Sequence, residues 1–516
     1  MSRSKSLGVF VTSHFFSLLL IALPVALSPV ASAQSTAVLR GSVIDPSGAA
    51  VAHAKVVVGN QATGAEWKTE SDSDGLFVVP ALPPGTYSIT VSAEGFQTSI
   101  VSNLVLEVST TVTQTVQLRV GKLSQQVTIT AETPVIDNST VTIGQVVDQK
   151  TVQEIPLNGR HFLDLGFLTA GSVTAPANGF LSQPIRGQGS FAFNTAGQRE
   201  DTVNIMVNGI NLNDMVQNQL VFQPSINTVA EFKVDNSVPS AEYGRNVGAV
   251  VNIATRSGTN DFHGEAFEFL RNSDLDARNF FNTKGVPQST LKRNNFGAAL
   301  GGPIKKNKAH FFISYEGLRH RQGLTVNALV LNQTQLDQVA ATSDATVKSL
   351  VQNFIPGGNF TDAQGRAFFR GSSVAPVNID QGTADVDVEL TSRDRLHGYF
   401  ALQQDLRQEP LFPTLGDTLP TWGDIRQSRR QLVTLSEDHI FGPSLTNTFR
   451  IGYSRIHITF TPAQQISSSD FGIDSGVSTS IGLAEINVAG AGALDFGGPR
   501  ANRKAAEILP SLSETT

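Results

Sequence analysis

The sequence predicts a mainly β protein with three consecutive parts: a small β-sandwich, an α+β domain, and antiparallel strands of an incomplete transmembrane β-barrel. Three observations support this fold class. Between Ala37 and Val120, short β-branched or aromatic runs alternate with glycine and proline turns. From Ala241 to Arg271, a glycine-punctuated apolar run, a polar turn and an aromatic run follow one another. After Asp261, seven candidate strands are joined by connections that are alternately long and short.

The N-terminus predicts a cleaved export signal over residues 1–33. Two basic residues precede an apolar run from Phe15 to Leu27, and Ala31-Ser32-Ala33 forms a small-residue cleavage pattern before Gln34. A membrane-spanning helix is the alternative, but the apolar run is shorter than the roughly 20 residues that a bilayer requires. We therefore expect cleavage between Ala33 and Gln34.

Composition narrows the function classes. The formal net charge is −6, with 38 Lys and Arg against 44 Asp and Glu, so the chain has no global basic field and nucleic acid is not an expected partner. The chain has no cysteine, which excludes disulfides and a lipid-bearing cysteine. Because no later segment is apolar enough for a spanning helix, the mature chain can enter a membrane only as a closed barrel.

The first part, residues 37–120, is predicted to be the sandwich. Its strands are separated by turns at Asp74-Gly75, expected to be a hairpin turn, and at Pro83-Pro84-Gly85. The motifs Gly41-Ser42-Val43-Ile44-Asp45 and Leu82 to Tyr87 resemble those of the carboxypeptidase regulatory-like domain. The resemblance implies an accessory domain rather than a catalytic unit, so it does not predict a peptidase.

The second part, residues 125–257, is predicted to be a compact α+β domain. A short helix stopped by Pro156 precedes a glycine turn, and an apolar segment from Val203 to Ile210 contains Asn208-Gly209. The polar, β-prone stretch from Gln125 to Ala131 is interpreted as the first strand of this part.

The third part, residues 258–516, is predicted to supply the barrel strands. Short turns alternate with long connections, as in outer-membrane barrels, where the turns on one side are short and the loops on the other side are long. The candidate strands are 262–270, 294–302, 309–320, 382–391, 395–404, 430–440 and 447–460.

Side-chain alternation is clearest in one hairpin of this part. Val386 and Val388 share one face of a strand, while Asp385 and Asp387 share the other. On the partner strand, one face carries Leu396, Phe400 and Leu402. The other face carries His397, Tyr399 and Gln403. A lipid-facing side and a wet lumenal side explain both sets, although a soluble antiparallel sheet with one packed face would alternate in the same way. The strand 262–270 fits poorly, because Glu265 and Phe267 fall on one face.

Two motif-like features do not support catalysis or cofactor binding. The stretch from Gly187 to Ala192 satisfies a loose dinucleotide fingerprint, but no strand-helix-strand unit surrounds it. His161, His263 and His310 have neither metal-ligand spacing nor a nucleophile motif beside them. We therefore predict no catalytic, cofactor-binding or metal-binding residues, and no enzyme activity.

Taken together, the three parts strongly resemble TonB-dependent outer-membrane receptors of the Oar-like branch. The junction Ala241–Arg271 carries much of this resemblance, because in the family it joins the plug, which fills the barrel lumen, to the first barrel strand. The family's usual aspartate before the central glycine of the plug is Asn208 here, which removes one plug charge. The matching plug landmarks are Arg160, Arg186, Gly187, Asn208, Gly209, Tyr243, Gly244, Gly248 and Asn252.

The resemblance implies a location and partners. The protein would lie in the outer membrane of a Gram-negative-type bacterium, in contact with outer-membrane lipid, with the sandwich and the plug on the periplasmic side. It would take up a large solute, such as a saccharide or a siderophore-like metal chelate, with energy delivered through TonB. No cofactor is implied. Gln125–Ala131 could then be the segment that TonB captures by strand pairing.

The resemblance also implies contacts for five arginines. They are candidates for pairing with acidic groups on the inner barrel wall, although each one taken singly is interpreted as a solvated loop charge. These arginines are Arg160, Arg186, Arg199, Arg245 and Arg256.

The barrel is predicted to be incomplete. A plugged barrel has about 22 strands, so seven cannot enclose a plug domain. Residues 501–516 are interpreted as a polar end without a terminal aromatic strand, so we expect the N-terminal portion of a receptor. Two other functions stay open: an outer-membrane adhesion or structural protein that binds carbohydrate or protein without transport, and a secreted peptidase or sugar-active enzyme. The sequence does not identify the solute.

Overall fold

The structure is a computed structural model, and it describes most of the chain from residue 36 onward. Ala33, Gln34, Arg186, Gly187 and Gly244 lie outside the described residues. The described residues are 36–121, 126–130, 143–157, 159–174, 193–195, 197–199, 202–213, 220–237, 243, 248–277, 290–410, 419–420, 422–442, 445–474, 476, 483–488, 494–496 and 503–515.

Eight strands form an N-terminal sandwich-like domain. One sheet has the order β4-β1-β7 and the other β3-β2-β5-β6-β8, with parallel pairing between β1 and β7 and between β6 and β8. The strands are β1 (Ala37–Ile44), β2 (Lys55–Asn60), β3 (Glu66–Glu70), β4 (Leu76–Leu82), β5 (Gly85–Ser92), β6 (Thr98–Leu106), β7 (Thr111–Gln117) and β8 (Gln126–Thr130).

The core of the sandwich follows from period-two alternation. On β5, Tyr87, Ile89 and Val91 are fully buried, while the residues between them are half-buried. Successive side chains of a strand point to opposite faces, so one face of β5 packs between the sheets against residues such as Leu39 and Val58.

Two expectations for this region are wrong. The Asp74-Gly75 turn does not close a hairpin, because β3 pairs with β2 and β4 pairs with β1, so the turn carries the chain from one sheet to the other. The stretch around Gln126–Thr130 is not a strand of the following part, since β8 adds to the sandwich sheet beside β6.

The described residues between 143 and 255 form a second unit, which we call the inner segment. Its sheet has the order β13-β12-β15-β14-β9, and a short helix packs beside it. The elements are β9 (Ile143–Val147), α1 (Gln149–Glu154), a 3-10 helix (Phe162–Leu168), β10 (Val173–Thr174), β11 (Phe193–Asn194), β12 (Asn204–Val207), β13 (Ile210–Asn211), a 3-10 turn (Ile226–Thr228), β14 (Val229–Ser237) and β15 (Val250–Thr255).

The third unit is a long antiparallel sheet, which we call the wall sheet. Its strand order is β16-β17-β18-β20-β21-β22-β23-β26, each strand pairing with the next. The strands are β16 (His263–Asn272), β17 (Leu291–Lys305), β18 (Ala309–Val330), β20 (Ala367–Glu389), β21 (Asp394–Glu409), β22 (Asp424–Gly442), β23 (Leu445–Pro462) and β26 (Arg503–Thr515).

Short elements occupy the long connections at one end of the wall sheet. They pack into a separate apolar cluster that includes Leu350 and Trp422. Within the described part of the chain, no helix is long and apolar enough to cross a membrane. The elements are α2 (Gln333–Thr342), α3 (Ala345–Phe354), β19 (Phe360–Thr361), a 3-10 turn (Ser468–Phe471), β24 (Ile486–Asn487) and β25 (Asp495–Phe496).

The predicted strands of the wall sheet follow the observed order, but there are fewer of them than in the structure and each one is shorter. An eighth strand, β26, pairs with β23 in the stretch that the sequence marked as a polar end. Both ends of the connection expected from Arg321 to Gln381 are continuations of β18 and β20, which pair as far as Val330 and Ala367. Along the extension of β18, the face that carries Glu316 carries apolar Val326 and Val330 instead, which pack in a separate cluster, so a pattern of one polar and one apolar face ended the strand early.

The predicted faces of the wall sheet are confirmed. Asp385, Tyr399 and Gln403 are buried on the face toward the inner segment, whereas Phe400 is 42% exposed on the other face. Other large apolar residues of that outer face are Ile313, Tyr315, Val433, Leu435, Ile451 and Tyr453. The fold is therefore mainly β, with a sandwich-like domain followed by an antiparallel sheet whose polar face is covered.

Candidate functional site at the seam of the inner segment and the wall sheet

The chain passes from the inner segment to the wall sheet through a hinge, which we define as residues 255–261. Gly258 sits where a side chain has no room, since an added Cβ would meet the carbonyl oxygen of Phe311 and lie 2.7 Å from that of Gly302. Only glycine lets the hinge pass this close to the backbones of β17 and β18.

Hydroxyl groups of the hinge bind carboxylates of the wall sheet. Thr255 Oγ1 donates to Asp385 Oδ2 at 2.7 Å, and Ser257 Oγ donates to Asp387 Oδ2. His397 Nε2 lies 3.0 Å from the same Asp385 oxygen. Asp387 and His397 face each other across β20 and β21, which brings two carboxylates and an imidazole together beside the hinge.

The Asn208-Gly209 turn fastens the inner segment to the hinge. Both residues have positive φ, 49° and 80°, a conformation that asparagine and glycine adopt most readily. Asn208 Nδ2 donates to Thr255 Oγ1 at 2.9 Å, and Asn208 Oδ1 accepts from the Thr255 backbone N–H at 3.1 Å. The side chain therefore donates and accepts at once, which an ionised aspartate cannot do.

A second set of hydrogen bonds holds the loop before β14. Gln381 on β20 accepts from the Ser225 backbone N–H at 2.8 Å and donates to the Gln223 carbonyl at 2.6 Å. Ser225 Oγ donates to Glu316 on β18. Arg430 on β22 donates to the Val221 carbonyl at 2.7 Å. Gln381 and Arg430 contact backbone groups, so these two contacts depend on the path of the loop more than on its sequence.

Apolar contacts accompany the polar ones. Val207, Ile210 and Leu212 belong to one buried cluster with Tyr399 and Leu432 of the wall sheet. At Gly452 on β23, an added Cβ would lie 2.5 Å from the Ile210 side chain, so glycine permits close approach there.

Two of the five candidate arginines contact the wall sheet. Arg256 pairs with Glu265 at 2.6 Å and is 12% exposed, so for Arg256 the pairing is confirmed and the solvated alternative is wrong. Arg160 is not solvated either, because its guanidinium lies 4.7 Å from the Phe267 ring and 4.5 Å from the Phe269 ring, and it donates to Asn227. Arg186 and Arg245 lie outside the described residues.

The remaining described landmarks shape the inner segment itself. Asn252 on β15 is buried and donates to the Tyr243 hydroxyl at 3.3 Å. Tyr243 packs on Met206 and Val250. At Gly248, an added Cβ would meet Thr202, including its carbonyl oxygen at 2.7 Å. These residues support the sheet of the inner segment.

The sandwich contacts both other units. Arg395 on β21 lies with its guanidinium 3.4 Å from the centre of the Trp67 ring and donates to the Glu66 carbonyl at 2.8 Å. The hinge backbone N–H of Asn260 donates to the Ala62 carbonyl at 3.0 Å. A cavity of about 800 Å³ lies among the three units, bordered by the hinge and by Asp387 and His397.

Charged groups of β14 join the inner segment to the sandwich. Glu231 Oε2 accepts from the Val108 backbone N–H at 2.5 Å, and Lys233 Nζ donates to the Ser109 carbonyl at 2.6 Å. Burial and, to a smaller extent, nearby Glu107 raise the pKa of Glu231 to about 7, with the hydrogen bond from Val108 opposing the rise. Glu231 therefore titrates near neutral pH at this contact.

A second histidine, His161, lies beside Arg293 and Glu316 of the wall sheet at a small cavity. Desolvation and the neighbouring Arg293 together lower the pKa of His161 to about 4. Gln223 Nε2 lies 2.8 Å from His161 Nδ1, which suits a neutral imidazole that accepts a hydrogen bond. His161 is thus a packed hydrogen-bonding residue near neutral pH.

Family comparison matches two regions of the chain. Residues 254–509 match the outer membrane beta barrel domain, and residues 38–119 match the carboxypeptidase regulatory-like domain. The TonB-dependent transporter Oar of Myxococcus xanthus is 28% identical over 338 residues, which are 63% of this chain and 30% of that protein. The chain is similar to this transporter over that region. This similarity agrees with the family resemblance found in the sequence motifs, and so do the sandwich-like domain and the wall sheet.

The chain spans less than a third of the length of that relative. Among solved structures, the outer membrane transporter YddB from Escherichia coli has a TM-score of 0.47 at 10% identity, covering 72% of this chain and 45% of that chain. A ferric enterobactin receptor mutant from Pseudomonas aeruginosa has a TM-score of 0.38 at 13% identity, covering 72% and 45%.

The sequence did not predict most of the contacts between the inner segment and the wall sheet, which together we call the seam. It predicted that Asp385 and Asp387 share a face, but not that His397, Thr255 and Ser257 converge on them. The register of β20 against β21 was the available signal, because the tight turn between those strands brings Asp387 and His397 into opposite positions.

Proposed function

We propose that the whole protein is a TonB-dependent outer-membrane transporter that admits a large solute. The observation that carries the proposal is the covered polar face of the wall sheet: the inner segment lies on it through hydrogen bonds, while the opposite face exposes large apolar side chains. A wall that is polar inside and apolar outside suits a lipid-embedded barrel.

The inner segment would serve as the plug of this transporter. Its seam combines hydrogen bonds between side chains, such as Thr255 with Asp385, with bonds to loop backbone, such as Gln381 with Ser225. Water that enters a solute path can replace such bonds one at a time. The apolar contacts around Ile210 and Leu432 oppose spontaneous release, so an external force is required. TonB, acting from the inner membrane, would supply that force.

The sandwich and the inner segment would lie on the periplasmic side, after removal of residues 1–33. In support, the sandwich contacts the hinge at Asn260 and the start of β21 at Arg395, next to the short turns of the wall sheet. In outer-membrane barrels the short turns face the periplasm. The solute would be a saccharide or a siderophore-like metal chelate, and outer-membrane lipid would surround the barrel.

An engineered lock tests the proposal. Because the chain has no cysteine, Ser225→Cys with Gln381→Cys can be joined by a short thiol crosslinker that reductant cleaves. Uptake of a labelled iron chelate or oligosaccharide by cells with and without TonB is the measurement. We expect uptake to require TonB, to stop in the crosslinked pair and to return after reduction, with each single-cysteine variant as the matched control.

Two results would contradict transport. Solute entry that continues without TonB would remove the energy source. Solute binding to the cell surface without entry, unchanged by the crosslink, would favour an adhesion or structural protein.

A further inference from the structure

We propose that Asp385, Asp387 and His397 bind one divalent metal ion of the Zn²⁺ type where the hinge meets the wall sheet. One ligand atom from each residue lies within 4.8 Å of the other two. Zinc bonds to oxygen and nitrogen are about 2.0–2.2 Å long and tetrahedral, which places ligand atoms about 3.4 Å apart, so small side-chain rotations would bring the three atoms to bonding distance.

An unsatisfied atom points independently to a ligand. Asp385 is 1% exposed, and its Oδ1 atom has no hydrogen-bond partner. The other oxygen of the same carboxylate is occupied by Thr255 and His397. A buried carboxylate oxygen without a partner is costly, and a cation beside it removes that cost.

The donor set selects the class of ion. Two carboxylates and one imidazole are typical of zinc and other first-row transition ions, whereas Ca²⁺ and Mg²⁺ prefer six or more oxygen ligands. The Ser257 hydroxyl, which already contacts Asp387, lies where it can orient that carboxylate. The cavity among the three units borders Asp387 and His397, which gives the ion a path to the site.

The bound ion would fasten the hinge. Thr255 and Ser257 donate hydrogen bonds to the same two carboxylates that would bind the ion. A bound ion would therefore fix the orientation of both carboxylates and strengthen their hydrogen bonds to the hinge. This inference does not depend on transport, because it concerns metal binding by the chain itself.

Metal titration of the full chain in detergent micelles tests the site. Zn²⁺ binding is measured by calorimetry, and Co²⁺ is used as a coloured substitute whose visible absorption reports its coordination. We expect one ion per chain, at least 10-fold weaker binding in His397→Gln and in Asp387→Asn, and little response to Mg²⁺ or Ca²⁺.

A second group on the same wall sheet provides the matched control. Asp394, Glu437 and His439 also come close together, but Asp394 and His439 are more exposed, and, among the described residues, neither carboxylate of this group has a buried oxygen without a hydrogen-bond partner. His439→Gln should leave the stoichiometry and affinity unchanged. Thermal unfolding in the presence of a chelator should be similar for the wild type and His397→Gln, which separates lost binding from lost folding.

Three outcomes would overturn the proposal. They are equal Zn²⁺ affinity in the wild type and His397→Gln, loss of the ion in His439→Gln alone, and absence of saturable binding by a folded wild-type chain.

Discussion

Thr255 on β15 donates a hydrogen bond to Asp385 on β20, with 2.7 Å between Thr255 Oγ1 and Asp385 Oδ2, although 130 residues separate them in the chain. The same threonine accepts a hydrogen bond from Asn208. One side chain therefore joins a turn of the inner segment, the hinge and the wall sheet. Its position makes the seam sensitive to single substitutions.

Thr255→Val should destabilise the seam. Valine has nearly the same shape but cannot donate, so Asp385 loses a partner for a buried carboxylate oxygen. We expect the free energy of unfolding in detergent micelles to fall by about 1–3 kcal/mol. Denaturant unfolding measures the change.

Thr259→Val is the matched control for this substitution. Thr259 also lies in the hinge, but its hydroxyl bonds only locally, to the Asp261 carbonyl and at longer range to His263. An equal loss of unfolding free energy in both variants would show that the hydrogen bond to Asp385 contributes no more than the local bonds of Thr259.

Asn208→Asp should also weaken the seam at neutral pH. The substituted carboxylate cannot donate to Thr255 Oγ1, and it adds a negative charge near Asp385. We expect a loss of about 1–3 kcal/mol in the free energy of unfolding, reduced at acidic pH where the new carboxyl is protonated. Asn208→Gly is the control for backbone strain, because glycine keeps the positive φ and removes both side-chain bonds without adding charge. Equal stability of Asn208→Asp and the wild type would contradict this account.

Much of the wall sheet could be predicted because its alternation is a local property. Asp385 and Phe400 lie on the faces that periodicity assigned them. The strand containing Glu265 and Phe267 did not fit, and the structure gives the reason: this part of the face meets the inner segment, where Glu265 pairs with Arg256 and Phe267 lies under Arg160. The side chains on that face therefore suit a contact with the inner segment, whose Arg160 is distant in the sequence.

Other features depend on pairing that a single sequence hides. The strand β8 joins the sandwich by parallel pairing with β6, and backbone hydrogen bonds of that kind leave little pattern in the residues. The strand β26 was missed for a related reason, because its stretch lacks the aromatic residues that mark the other strands. To predict that Asp385, Asp387 and His397 lie close together beside the hinge, one needs the register of β20 against β21 and the path of the hinge.

Glu231 should make the contact between the sandwich and the inner segment depend on pH. Its pKa in the folded chain is about 7, above the ordinary 4.5, so the folded state holds the proton more tightly than the unfolded state. The contribution is fully present below about pH 4.5 and is lost as pH rises to about 7. The shift corresponds to a loss on the order of 3 kcal/mol in the free energy of unfolding.

Glu231→Gln should remove this dependence. Glutamine keeps an acceptor for the Val108 N–H but carries no charge, so we expect the variant to be more stable than the wild type at pH 8 and similar at pH 4.5. Denaturant unfolding across this range measures the slope, and the exposed Glu94→Gln in the sandwich is the control. Parallel pH profiles for the wild type and Glu231→Gln would show that another group governs the response.

Gly258→Ala should disrupt the passage between the inner segment and the wall sheet. The added methyl group would meet the Phe311 carbonyl oxygen and lie 2.7 Å from the Gly302 carbonyl oxygen, and both are strand backbone that cannot move without breaking ladder pairing. We expect a loss of more than about 2 kcal/mol in the free energy of unfolding, as overpacking against a rigid backbone predicts. Gly357→Ala is the control, because no heavy atom lies within 4 Å of an added Cβ at that exposed position. Protease protection of the hinge should fall in Gly258→Ala and stay unchanged in Gly357→Ala. If both variants matched the wild type, the hinge would have room for a side chain and the close approach of the backbones would not hold in solution.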